Sequence, residues 1–205
     1  MRIVPVGAES FGANTYLIVS KNEALVVDPA LTASAILEAV RAEDAHPVGI
    51  LLTHGHFDHM LGMDTLRATY PLEVYLHEED AEMLSDGKKN AFSLFFHKDR
   101  SFGEADRLLR DGDEIPLGEE FVRVIHTPGH TKGSVCYVFD GMMFTGDTLF
   151  KNSIGRTDLG GDEEAMMRSL RALRNLPGDY DIYPGHDKPT TLDDERRYNP
   201  YLKKA

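Results

Sequence analysis

The sequence has one cysteine, no tryptophan and no long apolar run, and two of these scarcities exclude whole classes of protein. A lone cysteine, Cys136, cannot form an intramolecular disulfide. The first residues lack the basic stretch and apolar core of a secretory signal, and no apolar run approaches the roughly 18 residues of a membrane-spanning helix. We therefore predict a protein of the reducing cytoplasm that has no membrane partner.

Basic residues are also few in relation to acidic ones. The chain has 22 lysines and arginines against 34 aspartates and glutamates, a formal net charge of −12. Such a charge opposes attraction to phosphate backbones, so we expect no nucleic-acid partner and a small-molecule substrate instead. A length of 205 residues suits one domain with a sizeable core. The oligomeric state has no signature in the sequence.

Strands and helices alternate along the chain in two similar halves. In the first half we predict strands at 3–6, 15–19, 24–27, 48–52 and 73–76, with helices after Thr32 and at 61–70. In the second half we predict strands at 121–125, 135–139, 142–145 and 181–183, and a helix after Asp162. This order predicts an α/β fold, an αββα sandwich of two mixed β-sheets flanked by helices.

One segment interrupts that alternation. Residues 85–105 lose clear periodicity and carry several phenylalanines, two of which, Phe95 and Phe96, are candidates for a pocket wall. We interpret the segment as an insertion or lid within a single domain spanning 1–205. The cysteine lies within a predicted strand and is expected to be a buried small hydrophobic residue.

A dense polar run directly follows the predicted buried strand 48–52. It reads Thr-His-Gly-His-Phe-Asp-His over residues 53–59. While the backbone is extended, residues two apart project to the same side, so His54 and His56 can converge on one cation. Asp58 and His59 then point towards a second position as the chain turns. The spacing therefore indicates a metal site at the carboxyl end of a strand.

Two further histidines follow Pro-Gly turns after strands. His130 comes after Pro128-Gly129, and His186 repeats the pattern after Pro184-Gly185. Asp147 follows the predicted strand 142–145. Taken alone, His126 and His130 are each more often loop or core residues than ligands, and Asp147 is more often a helix or turn cap.

The ordered set of all these residues resembles the metallo-β-lactamase superfamily over nearly the whole chain. The resemblance implies two divalent cations, with zinc as the first expectation and iron or manganese as alternatives. It implies that the first metal is held by His54, His56 and His130, the second by Asp58, His59 and His186, and that Asp147 bridges both.

Within the superfamily, the stretch 145–150 together with Gly-Arg-Thr-Asp at 155–158 resembles the short bacterial glyoxalase II type, which is hydroxyacylglutathione hydrolase-like and acts on thioesters. Asp147 separates the chain from true β-lactamases, which lack the bridging carboxylate. His56 separates it from flavodiiron proteins, which carry glutamate there. Longer glyoxalase II enzymes grip glutathione with a lysine and a tyrosine in this stretch, where Arg156 and Asp158 stand here, so the thiol carrier stays open.

The resemblance implies a metallohydrolase in which a hydroxide shared by two metals attacks a thioester carbonyl. A thiol has a pKa near about 8.5, so the thiolate leaves without a general acid. We expect Asp58 and Asp147 to be the catalytic carboxylates. Arg156 is a candidate to bind a substrate carboxylate, although it can equally form a surface salt bridge. Asp28 is a candidate to support the ligand loop by hydrogen bonds, although it can equally be an ordinary turn aspartate.

Three alternatives stay open. A persulfide dioxygenase would use one iron held by His54, His130 and Asp147, because the Gly-Arg-Thr-Asp stretch also occurs in those enzymes. A lactonase would use the same hydroxide on an ester. A noncatalytic module of the same fold would have lost one or more ligands, and none is missing here.

Overall fold

The structure, a computed structural model, describes residues 1–8 and 12–205. Its strands form two sheets. The first sheet contains β1 (Arg2–Ala8), β2 (Asn14–Ser20), β3 (Glu23–Val27), β4 (His46–Leu51), β5 (Glu73–His77) and β6 (Arg107–Leu109). The second contains β7 (Glu114–Leu117), β8 (Glu120–His126), β9 (Val135–Phe139), β10 (Met142–Gly146), β11 (Asp181–Pro184) and β12 (Thr190–Thr191).

Both sheets are mixed. The first runs in the order β1-β2-β3-β4-β5-β6, antiparallel as far as β3 and parallel from β3 to β6. The second runs β12-β11-β10-β9-β8-β7, in which β10 and β11 are parallel and the other described pairs antiparallel. The parallel pairs matter for function, because their carboxyl ends lie at the same edge of a sheet.

The strand β2 shows why the central strands are apolar on both faces. Tyr16 and Ile18 pack between the two sheets, whereas Leu17 and Val19 point to the opposite face and pack in the cluster that includes the first helices. Successive side chains of a strand alternate between faces, so a strand covered on both sides needs a continuous apolar run. The core is therefore three layers deep.

Helices cover the outer faces of both sheets. They are α1 (Ala33–Ala42), α2 (Met63–Thr69), α3 (Phe92–Phe96), α4 (Glu163–Arg174), α5 (Leu192–Tyr198) and α6 (Pro200–Lys204). Thr32 and Asp162 cap α1 and α4, as the sequence predicts. The predicted αββα sandwich of two mixed sheets is confirmed.

Short elements were the ones that sequence reasoning did not resolve. The predicted helix 61–70 is observed at Met63–Thr69, and it is preceded by a 3-10 turn at 57–59. The edge strands β6, β7 and β12 and the helices α5 and α6 were not predicted. These elements have two to seven residues, too few for a periodic apolar pattern to stand out.

The segment predicted as an insertion or lid contains the five-residue helix α3. Phe92, Phe95 and Phe96 lie with their ring centroids 5.4, 5.6 and 5.7 Å from that of the buried Phe57. Phe57 directly precedes Asp58, so α3 lies beside the polar run. Its movement as a lid stays a prediction. In the described ranges, no helix has the length and apolar character to cross a membrane.

Candidate metal centre

The carboxyl ends of β3, β4, β8, β10 and β11 meet at one edge of the sandwich. The two sheets are joined there by a hydrogen bond from the backbone N–H of Val135 to the carbonyl of Thr53, 2.9 Å long. Within the second sheet, the N–H of Gly185 donates to the carbonyl of Gly146 at 2.8 Å. Loops that are far apart in sequence are thereby held side by side.

Two glycines make this close approach feasible. Gly146 has φ +46°, and a Cβ there would overlap the side chain of Thr53. A Cβ on Gly185 would overlap the carboxylate of Asp147. The Pro-Gly and Gly-Asp sequences that ended the predicted strands therefore have a steric reason at the site.

The predicted ligands form three overlapping groups, and within each group the donor atoms lie within 4.8 Å of one another. The structure thus brings together all seven predicted metal ligands, which come from four separate loops. The groups are His54, His56 and His130; His54, His59 and Asp147; and Asp58, His59 and His186.

Asp147 faces both ends of this cluster. Its Oδ2 lies 3.4 Å from Nε2 of His130 and 3.5 Å from Nε2 of His186, and its Oδ1 lies 3.4 Å from Nε2 of His59. At the first end, Nδ1 of His56 is 2.8 Å from Nε2 of His130. A carboxylate in this position touches the donors of both predicted metal positions, which is the geometry that a bridging ligand requires.

Several of the buried donor atoms have no hydrogen-bond partner among the described residues. Leaving such an atom unpaired costs about 1–3 kcal/mol, so a cluster of them in one place needs an explanation. Imidazole nitrogens and carboxylate oxygens together suit zinc, iron or manganese. The chemistry of the donor set fits divalent cations. The atoms are His54 Nε2, His56 Nε2, His59 Nε2 and Asp147 Oδ1.

A buried carboxylate orients two of the histidines. Asp28, at φ +46°, accepts hydrogen bonds from the backbone N–H of Thr53 (2.8 Å) and from its hydroxyl (2.7 Å). The second oxygen also lies 2.9 Å from Nδ1 of His59, and the Thr53 hydroxyl lies 3.1 Å from Nδ1 of His54. Both rings therefore keep Nε2 for the centre, which is how supporting carboxylates act on metal-binding histidines.

Arg156 reaches the centre through its backbone. Nδ1 of His130 donates to the Arg156 carbonyl at 2.7 Å, which leaves Nε2 of that ring towards the other ligands. The guanidinium lies at the pocket edge and pairs with the carboxylate of Asp158 through two contacts of 2.6 Å, on an exposed surface. The predicted binding of substrate by this side chain stays a prediction.

His126, the competing candidate, turns away from the cluster. Its Nε2 donates to the carbonyl of Lys132 at 2.8 Å, and its ring stacks on that of His77 with centroids 3.9 Å apart. The structure therefore resolves the ambiguity between neighbouring histidines in favour of His130 as the residue that joins the cluster.

Sequence reasoning missed Asp80. This carboxylate is 1% exposed and accepts three hydrogen bonds, from the backbone N–H of Gly55 (3.0 Å), the hydroxyl of Thr131 (2.6 Å) and the backbone N–H of Gly133 (2.7 Å). It ties the loop after β4 to the loop after β8. The available signal was its position just past β5, one of the parallel strands whose ends form the site.

Burial and neighbouring charge divide the histidines into two kinds. Burial lowers the pKa of His54 well below its usual value and that of His56 to about 3. Burial also opposes the charged forms of His59 and His186, but the surrounding carboxylates outweigh it and raise both pKa values. The imidazoles in turn hold the pKa of Asp147 well below its usual range. The half of the centre that contains His59 and His186 therefore favours a positive charge.

A small cavity opens over the cluster. It measures about 120 Å³ and is bordered by His56, Asp58, His130, Asp147 and His186. Its apolar wall is formed by Phe57, Ala91, Phe95 and Leu159. A substrate group that enters this cavity would meet the donor atoms directly.

An αββα sandwich with imidazoles and carboxylates gathered at its strand ends defines the class of the molecule as a metal-binding α/β protein. The chain belongs to the metallo-beta-lactamase superfamily, whose family model matches residues 9–186. It is 34% identical to the probable metallo-hydrolase YqgX of Bacillus subtilis, over 98% of this chain and 96% of that protein. It is 32% identical to the hydroxyacylglutathione hydrolase GloC of Haemophilus influenzae, over 98% and 97%.

Solved structures agree with this assignment. The BLEG-1 B3 metallo-beta-lactamase superposes with a TM-score of 0.92 at 34% identity, covering 98% of this chain and 99% of that one. TTHA1623, solved in a di-iron-bound form, superposes with a TM-score of 0.85 at 33% identity, covering 97% and 99%. The His/Asp cluster and the di-iron relative together support divalent metal ions at this centre.

Proposed function

We propose that the chain is a binuclear metal-dependent thioesterase of the glyoxalase II type, with zinc as the first candidate metal. The observation that carries the proposal is the complete second half of the cluster. Asp58, His59 and His186 are assembled beside the first group, and Asp147 faces both. The similarity to a hydroxyacylglutathione hydrolase supports a thioester as the bond that is cleaved.

The residues of the chain have separable tasks in this reaction. When bound, divalent cations polarise a carbonyl and make water acidic enough to supply hydroxide near neutral pH. Asp58 places one carboxylate oxygen 3.5 Å from His186 Nε2, which leaves its other oxygen to orient the attacking water. Phe57, Ala91 and Leu159 offer an apolar wall against which the acyl group can pack. A thiolate leaves without a proton donor, so the site needs no general acid.

The first experiment measures metal content and substrate range together. Protein purified without added metal is analysed for zinc, iron and manganese, then assayed with glutathione and coenzyme A thioesters, a lactone, a β-lactam and a glutathione persulfide. We expect close to two metal ions per chain and fastest turnover of a thioester. One iron per chain with oxygen uptake on the persulfide would overturn the proposal.

A ligand substitution links the metal to the activity. His54→Ala removes a donor that is shared by two of the three groups, so metal uptake and turnover should be lost together. His46→Ala is the matched control, because that histidine is exposed at the other end of the same strand. Retained turnover in His54→Ala would contradict the ligand assignment.

Two other reactions remain outcomes of the same panel. A persulfide dioxygenase would need only His54, His130 and Asp147, which leaves the assembled Asp58, His59 and His186 without a purpose. The presence of Asp147 was the argument against a β-lactamase, and the similarity to a B3 metallo-beta-lactamase weakens that argument. The panel therefore includes a β-lactam.

A further inference from the structure

The cavity over the metal centre is too small for a whole thioester of a peptide thiol or coenzyme A. It measures about 120 Å³, whereas cavities that bury a drug-sized ligand measure roughly 300–1,000 Å³. It can take the acyl group and the thioester bond. The thiol carrier must therefore lie outside it, on a surface that adjoins the cavity.

A larger groove begins where the cavity ends. It measures about 400 Å³ and shares Leu159 with the wall of the metal cavity. Thr131 and Lys132, which directly follow His130, form part of its wall, as does Met83. Because Asp80 binds Thr131 and Gly133, this wall is fixed relative to the metal-binding loops.

Three lysines and three acids line the groove, but one of the acids, Asp80, is buried and already accepts three hydrogen bonds. Lys88, Lys89 and Lys132 line it. Lys89 pairs with Glu82, whereas the ammonium groups of Lys88 and Lys132 form no ion pair with any described residue. Glu79 also lines the groove and can accept a hydrogen bond from an ammonium group. Among the exposed groups of the groove that form no ion pair, two cations therefore stand beside one acid, which suits a ligand that carries carboxylates and one amine.

We propose that this groove binds the thiol carrier of the substrate, and that Lys88 and Lys132 recognise its anionic end. The carrier class is a small thiol with carboxylate groups, of the amino-acid or short-peptide kind. The inference rests on the proposed thioesterase function. It assigns carrier recognition to the loop after β8 and the segment before α3, on the side of the cavity bounded by Leu159.

The kinetic test compares substrates that share one acyl group. These are a glutathione thioester, a coenzyme A thioester and the uncharged N-acetylcysteamine thioester. For Lys88→Ala/Lys132→Ala, we expect KM for the glutathione thioester to rise on the order of 10-fold, because each exposed pair contributes a small factor. The ratio of kcat/KM for the glutathione thioester to that for the neutral thioester should fall by a similar factor. A fall confined to coenzyme A would show a phosphate-bearing carrier and overturn the carboxylate assignment.

The control removes the same charge elsewhere. Lys203→Ala/Lys204→Ala changes two exposed lysines of α6, and the kcat/KM ratio should keep its wild-type value. An equal fall in both double variants would mean that net charge, and not the groove, acts on the substrate.

Binding of the free thiol separates this inference from the proposed function. Calorimetry with glutathione should show binding that weakens about 10-fold in Lys88→Ala/Lys132→Ala and also weakens as salt rises. Binding that the substitutions leave unchanged overturns the groove assignment, even if thioesters are hydrolysed. If no thioester is hydrolysed, the proposed function fails, whatever the glutathione binding shows.

Discussion

At the scale of single residues, the side chains that hydrogen-bond to the predicted metal ligands are as informative as the ligands themselves. Asp28 is 2% exposed, adopts a positive φ that non-glycine residues rarely take, and directs its carboxylate to His59 and Thr53. A strained backbone held by such contacts is characteristic of functional sites. Its charge and its position therefore both serve the metal centre.

Replacing Asp28 by asparagine should weaken metal binding. Asparagine tolerates the same backbone conformation but removes the negative charge beside His59, and losing such a partner lowers metal affinity about 10–100-fold. Competition with a chromophoric chelator measures the change. Asp44→Asn is the matched control, because that aspartate also has a positive φ but lies exposed in a turn. Equal affinities in wild type and Asp28→Asn would show that Asp28 has no such role.

Asp80 should act on stability as well as on the site. In Asp80→Asn the amide nitrogen replaces one carboxylate oxygen, so at least one of the three donors loses its acceptor, which costs about 1–3 kcal/mol. Urea denaturation followed by circular dichroism measures the free energy of unfolding. Glu79→Gln, the exposed neighbour, should change it by less than about 0.5 kcal/mol. Equal free energies of unfolding for the two variants would show that the hydrogen bonds of Asp80 do not stabilise the loops of the centre.

Metal uptake should release protons and weaken as the pH falls. In the metal-free protein the pKa values of His59 and His186 are raised, so these imidazoles hold protons to a higher pH than usual, and a metal must displace them. The pKa of His56 is lowered to about 3, so that ring is already neutral. The metal held by Asp58, His59 and His186 should therefore leave first on acidification. Calorimetry in buffers of different ionisation enthalpy counts the protons, and metal analysis across pH follows each loss.

At the scale of secondary-structure elements, the site depends on how closely β10 approaches the loop after β4. Gly146 and Gly141 both have positive φ, +46° and +74°. A Cβ at Gly146 would overlap Thr53, whereas at Gly141 its nearest neighbour would be 4.0 Å away. The two positions therefore share backbone strain and differ in available space.

This pair gives a prediction about sterics. Both Gly→Ala variants should lose about 1–2 kcal/mol from backbone strain, and Gly146→Ala should lose a further 1–3 kcal/mol, roughly, from overpacking. Gly146→Ala should also bind less metal, because the displaced Thr53 precedes His54. Urea denaturation and metal analysis check both effects. Equal free energies of unfolding for the two variants would show that the close contact between Gly146 and Thr53 does not limit the size of the residue at position 146.

At the scale of the whole molecule, the bound metals should stabilise the fold. The ligands come from loops of both sheets, and an ion that binds only the native state adds about 2.7 kcal/mol of stability at a free concentration of 100 times its Kd. We expect dialysis against a chelator to lower Tm and the urea midpoint. Adding excess zinc to the chelated protein should restore both. Identical Tm values and urea midpoints with and without metal would show that metal binding does not stabilise the packing of the two sheets.

The fold and the ligand run 53–59 were predictable from the sequence because their signals are local, whereas His130, Asp147 and His186 were assigned only through the resemblance to a known family. Apolar runs bounded by turns marked the long strands, and capping residues marked α1 and α4. The spacing of His54 and His56 after a buried strand needed only the two-residue period of an extended chain. Short edge strands and the last two helices lacked that signal.

The amino-acid sequence by itself determined which residue types could hold metal and which strands would be buried, since both follow from chemistry and periodicity along the chain. Only the tertiary structure decided that His130 and not His126 joins the cluster, that Asp80 links two loops, and that the Arg156 carbonyl orients a ring. Those contacts join residues 25 to 53 positions apart or depend on the direction of a turn. A contact of that kind exists only once the sheets are packed, so no local pattern can contain it.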